Sequence, residues 1–168
     1  MKTPPHPFLL LAAAALALAG CATTEPAKKS AGPAPAAGTT FKLNDVREEV
    51  LVVIGFDMYC HVCQAEAPRM VKFARAIKAQ PGGSRVKVIG LGIGDTPMET
   101  ATFASKFGLP FPTYSDRSNA IAKSIATPVR VPSIMILKRT GSGFRLVDRK
   151  SKIPADIDAF AGEVVSLL

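Results

Sequence analysis

Residues 50–56, VLVVIGF, form an almost unbroken apolar and β-branched run, and no other feature of the chain constrains its fold as much. A strand that is wet on one face alternates apolar and polar residues, whereas a strand with no polar position has to be covered on both faces. Sheets with helices on each side provide that cover. After Tyr59 the period changes. Val62, Ala65, Ala67, Met70, Val71, Phe73, Ala74 and Ile77 recur at three- and four-residue steps, which predicts a helix through Ala79. Pro68 has no amide hydrogen and is expected to kink this helix or begin its second segment. Pro81-Gly82-Gly83 ends it.

The rest of the chain alternates in the same way. Val86 to Ile93 reads as a second strand, and Met98 to Phe107 as a helix with its exit marked by Gly108 and Pro110. A short helix is expected from about Ser118 to Ile125. Ser133 to Leu137 is a third apolar strand, and Lys138 to Gly143 a loop of hairpin type. Phe144 to Val147 is the antiparallel partner. Pro154 opens a last helix with Ile157, Phe160, Ala161, Val164, Val165 and Leu168 on one face. Together these elements predict an α/β domain over residues 41–168, with a mixed central β-sheet flanked by helices on both faces.

The first forty residues belong to a different class. Residues 1–20 carry one lysine, Lys2, and an apolar stretch from Phe8 to Ala19, too short to span about 30 Å of hydrocarbon as a mature helix. They read as a signal peptide. Leu18-Ala19-Gly20-Cys21 resembles the lipobox of bacterial lipoproteins, which implies that Cys21 is lipidated and becomes the mature N-terminus. An ordinary cleaved signal or an uncleaved apolar anchor remains the alternative. Residues 21–40 are rich in Ala, Pro, Gly and Thr and lack apolar periodicity, so they read as a tether with a reach of about 50 Å when extended. The net charge is +8, but the basic residues are dispersed and form no stripe, so nucleic acid is not an expected partner.

Of the three cysteines, acylation of Cys21 leaves one pair, Cys60 and Cys63, in the C-x-x-C of FDMYCHVCQAE. Cys60 falls where the strand gives way to the helix, and the unpaired amides and dipole of a first helical turn favour a thiolate. It is the expected nucleophile. Cys63 lies one turn further along the same side, placed to resolve a mixed disulfide by attacking Cys60. Gln64 follows Cys63, so the C-x-x-C-H of c-type haem attachment is missing. Structural zinc needs four ligands, and the mature chain offers Cys60, Cys63 and His61. A purely structural disulfide is the remaining alternative, but so short a loop constrains little of the unfolded chain.

VVIGFDMYCHVCQAEAPRM resembles the active-site segment of the TlpA-like thiol-disulfide oxidoreductases of the thioredoxin superfamily, which also include the ResA and cytochrome c maturation reductants. The similarity continues through FGLPFPTYSDRSNAIAKSIATPVRVPSIMIL and covers residues 41 to 168. It implies a thioredoxin-like fold. It also implies that Glu66, three residues after Cys63, moves the proton when Cys63 attacks. The family carries a cis-proline facing its dithiol, and Val131-Pro132 fits that position, with Pro128 the competing candidate. The backbone of Val131 would then pair with an extended substrate segment. Tyr59 stands where the family usually has tryptophan, and His61-Val62 where it often has proline. Both departures point to altered partner contacts, and a protonated His61 would also stabilise a Cys60 thiolate.

The resemblance implies a membrane-tethered thiol-disulfide oxidoreductase on the extracytoplasmic, periplasmic side of a bacterial envelope, with reduction as its expected physiological direction. Its partners would be exported proteins carrying disulfides or thiols, with a membrane electron-donor protein to recycle it. It would need no cofactor beyond a redox-active Cys60–Cys63 disulfide. Two alternatives stay open. One is a peroxiredoxin-like thiol peroxidase, although Asp57-Met58-Tyr59 does not supply the upstream Thr or Ser such enzymes need. The other is a module binding Cu(I), for which thiolates suit the soft ion.

Overall fold

The computed structural model describes residues 41–168, together with Met1. The expected leader, the lipidation site Cys21 and the tether lie outside the described residues. Five strands, β1 (Val50–Phe56), β2 (Val86–Ile93), β3 (Thr113–Asp116), β4 (Ser133–Thr140) and β5 (Gly143–Lys150), form one sheet in the order β3-β2-β1-β4-β5. β1 pairs parallel with β2 and antiparallel with β4, β2 pairs parallel with β3, and β4 pairs antiparallel with β5. The mixed sheet and the thioredoxin-like fold agree with the expectation.

β1 is the central strand, and all seven of its residues are buried. Alternate side chains enter two cores. Val50, Val52, Ile54 and Phe56 face α1 (His61–Ala79), α2 (Pro97–Phe107) and α4 (Ile157–Val165). Leu51 and Val53 face α3 (Ala120–Ile125) and the segment from Phe41 to Val46. Phe73 of α1 stacks on Phe160 of α4 with ring centroids 4.7 Å apart, and Phe56 stacks on Phe103 of α2 at 4.3 Å. Each such side chain contributes about 1.5–3 kcal/mol when fully buried.

Three details differ from the sequence expectation. Thr113–Asp116 is a strand, whereas the sequence reading assigns no element between Pro110 and Ser118; it is short and forms the edge beside β2. β4 and β5 run to Thr140 and from Gly143, so the hairpin loop is reduced to Gly141-Ser142 and the β5 edge is longer than its apolar residues suggested. α1 continues through Pro68 as one element, with Pro68 exposed.

Candidate active site

The dithiol sits at the carboxyl end of the central strand. Residues 57–60 join β1 to α1 in a tight turn, in which the Cys60 amide donates to the Asp57 carbonyl at 3.2 Å and the Tyr59 amide to Asp57 Oδ1 at 2.7 Å. Gln64 Nε2 donates back to the Met58 carbonyl at 2.8 Å. Cys60 is the N-cap of α1, and the Cys63 amide donates to Cys60 Sγ at 3.1 Å. The sulfur thus takes the place that a serine or aspartate oxygen fills at other helix starts, where an anion is favoured.

Both cysteines are free thiols, Cys60 half-buried and Cys63 fully buried. Burial pushes the Cys63 thiol well above the ordinary range, and its hydrogen bond with Cys60 adds to this. One thiol reaches solvent and the other stays protonated behind it.

His61 and Val62 form the exposed first turn of α1. Tyr59 is 70% exposed, and its hydroxyl donates to Glu99 Oε1 at 2.9 Å. That bond, then the charge of Glu99, raises the Tyr59 pKa. Glu99 also accepts from the Thr96 amide at 2.7 Å and closes the capping box of α2; that amide, followed by the Thr96 hydroxyl, holds its carboxyl below the usual range. Met98, in the first turn of α2, and Val62 are also exposed apolar side chains.

Val131 and Pro132 stand at the same end of the sheet, because β4 runs antiparallel to β1 and Ser133 pairs with Gly55. The Val131–Pro132 peptide is cis, and so is Thr127–Pro128, so both candidate prolines take that geometry. Pro132 is buried and Val131 half-buried. Glu66 lies one turn past Cys63, and its Oε1 accepts from the Ile153 amide at 2.8 Å and from Arg69 Nε at 3.3 Å. This carboxylate anchors the loop between β5 and α4, a bond between residues 87 apart that helix spacing could not reveal.

Sequence reasoning missed Asp95, two residues past β2. It is 2% exposed, and both its carboxylate oxygens accept from the Met58 amide at 3.1 Å. Burial lifts its pKa to about 6, with the nearby charges of Asp57 and Glu99 adding and the Met58 amide opposing. The only signal was an acid in the apolar setting of LGIGD, at the carboxyl end of a parallel strand. Among the described residues no group of three or more His, Cys, Asp or Glu side chains is arranged to hold a metal ion, and no helix is long and apolar enough to cross a membrane.

The sequence model of the AhpC/TSA family matches residues 24–142. No curated protein matches the chain. Among solved structures, a putative thioredoxin from Neisseria meningitidis is 20% identical with a TM-score of 0.60, covering 82% of this chain and 89% of its own. The thioredoxin domain of a thiol-disulfide oxidoreductase from Bacteroides vulgatus is 16% identical with a TM-score of 0.60, covering 84% of this chain and 99% of its own. A secreted Mycobacterium tuberculosis disulfide oxidoreductase, homologous to E. coli DsbE, is 20% identical with a TM-score of 0.52, covering 73% of this chain and 85% of its own. At these identities the likeness is one of fold.

Proposed function

We propose that this chain, which belongs to the AhpC/TSA family, is a TlpA-like thiol-disulfide oxidoreductase that reduces disulfides of exported proteins. The observation that carries the reading is the Cys63 amide on Cys60 Sγ at 3.1 Å, with the second thiol fully buried behind the first. The Cys60 thiolate attacks one sulfur of a partner's disulfide, forming a mixed disulfide and expelling the other sulfur as a thiolate. Cys63 then gives up its proton and attacks Cys60 Sγ, expelling the partner's remaining thiolate and closing the Cys60–Cys63 disulfide. Two electrons pass to the partner, and the two protons of the dithiol end on its sulfurs. A membrane electron donor returns the pair to the dithiol.

In this reading Tyr59, His61, Val131 and Pro132 contact the partner, and Glu66 takes the proton that Cys63 loses. Residues 1–20 are the leader, and lipidated Cys21 with residues 22–40 tethers the domain to the bacterial envelope on its extracytoplasmic side. The secreted and thiol-disulfide neighbours support that choice of compartment and chemistry. A Cys63→Ser variant should accumulate mixed disulfides on Cys60 in oxidising cells. Free Cys60 alone, mapped by alkylation, would sink the proposal.

The AhpC/TSA match also suits a peroxiredoxin-like peroxidase. The two readings separate on one measurement, because a peroxidase would consume peroxide rapidly as the reduced protein, and the oxidoreductase would not.

A further inference from the structure

We propose that Asp95 is a positioning residue for the dithiol, holding with its buried carboxylate the loop that presents Cys60 and letting that loop go when it takes up a proton. This deepens the reading above, since it concerns how the reactive thiol is held.

Met58 lies two residues before Cys60. Its amide donates to both Asp95 oxygens at 3.1 Å. The remaining backbone bonds of residues 58–60 stay within the loop and α1: Tyr59 and Cys60 amides to Asp57, Gln64 Nε2 to the Met58 carbonyl, and the Gln64 amide to the Cys60 carbonyl at 3.0 Å. Among the described residues, Asp95 is therefore the one group from outside the β1–α1 loop and α1 that hydrogen-bonds this stretch of backbone. Its own place is fixed in turn, because Ser115 Oγ of β3 donates to the Asp95 carbonyl at 2.5 Å. The loop before Cys60 is thereby tied to the far side of β2.

The surroundings make this tie sensitive to protons. The charged groups acting on Asp95 are both acidic, Asp57 from the active-site loop and Glu99 from the first turn of α2. Tyr59 is engaged by Glu99, and the Asp116 carboxylate of β3 is taken by the Ile121 and Ala122 amides at 3.2 and 2.8 Å. Burial raises the pKa of Asp95 to about 6, so its charge changes in mildly acidic medium. Protonation turns one oxygen into a donor and removes the charge that strengthens the bond to Met58.

A buried hydroxyl with no partner of its own lies near the carboxylate. Thr100 Oγ1 of α2 is buried without a hydrogen-bond partner. It crowds the site where Gly92 lacks a side chain, since a Cβ there would collide with Thr100 Oγ1 and lie 3.0 Å from Asp95 Oδ2.

The test is the alkylation rate of Cys60 in the reduced full chain, followed with iodoacetamide and mass mapping from pH 4.5 to 8 for the wild type, Asp95→Asn and Asp95→Ala. The wild type should show a step near pH 6 on the thiolate's own slope, and Asp95→Asn, which keeps an amide oxygen for Met58 but cannot ionise, should lose it. Asp95→Ala should slow alkylation at pH 7.5 by about five-fold, the size of one hydrogen bond's net contribution. Superimposable wild-type and Asp95→Asn profiles overturn the proposal, whether or not the alanine variant folds. Alkylation needs no partner protein. Glutathione exchange by the wild type, measured in parallel, reports on the oxidoreductase reading by itself: a pH step without exchange supports Asp95 and defeats that reading, and exchange without a step does the reverse.

Discussion

Two thiols three residues apart are given different chemistry chiefly by depth. Cys60 caps a helix at the surface, and Cys63 is wholly enclosed, its thiol pushed up by burial. With iodoacetamide at pH 8, Cys63 in a Cys60→Ser variant should therefore react at least about ten-fold more slowly than Cys60 in a Cys63→Ser variant. The raised thiol also links to stability. The unfolded chain loses the Cys63 proton in the ordinary thiol range while the folded chain keeps it, so the folded state binds more protons and stability falls as pH rises through that range. Thermal melts of the reduced protein should drop more between pH 8 and 10 than those of Cys63→Ala. For Asp95, also raised, charge in the folded state is costly at neutral pH and the cost disappears as pH falls below the unfolded carboxylate's range. Asp95→Asn should then melt higher than the wild type at pH 7.5, and this advantage should shrink toward pH 4.

At the scale of elements, α1 carries the dithiol at one end and is held along its length by α4. Phe73 and Phe160 are its principal anchor, stacked at 4.7 Å in the core. Either residue changed to alanine should cost about 3–5 kcal/mol in denaturant unfolding, and the double variant less than the sum, because the pair is lost once. The capping box of α2 has a double duty, since Thr96 bonds Glu99 and Glu99 holds the Tyr59 hydroxyl. Thr96→Ala should cost about 1 kcal/mol of stability. The sequence disclosed the strands buried on both faces, the amphipathic helices and the C-x-x-C at a strand-to-helix junction, because each is written as a local period or spacing. β3 was not legible, since its four residues are strand only by pairing with Gly90 to Ile93. Asp95 and the bond from Glu66 to the Ile153 amide escaped for a related reason: both join segments tens of residues apart, and only folding brings them together.

For the molecule as a whole, both cores, among the described residues, draw on the five strands, the four helices and the segment from Phe41 to Val46. On the proposed reading of residues 21–40 as a tether, a chain starting at Phe41 should keep the melting temperature of the longer protein within about 2 °C, and Cys21→Ala should move the protein from the membrane to the soluble fraction of fractionated cells. The antiparallel β4 gives the sheet two unlike ends. Ser133 pairs with Gly55 beside the dithiol, whereas Lys138 pairs with Val50 at the opposite end, just before the Gly141-Ser142 turn. About 17 Å of strand separates them. That turn is consequently a handle: a fluorophore, an affinity tag or a bead attached there points the thiol pair outward, so captured partners could be fished from solution without the support standing in their way.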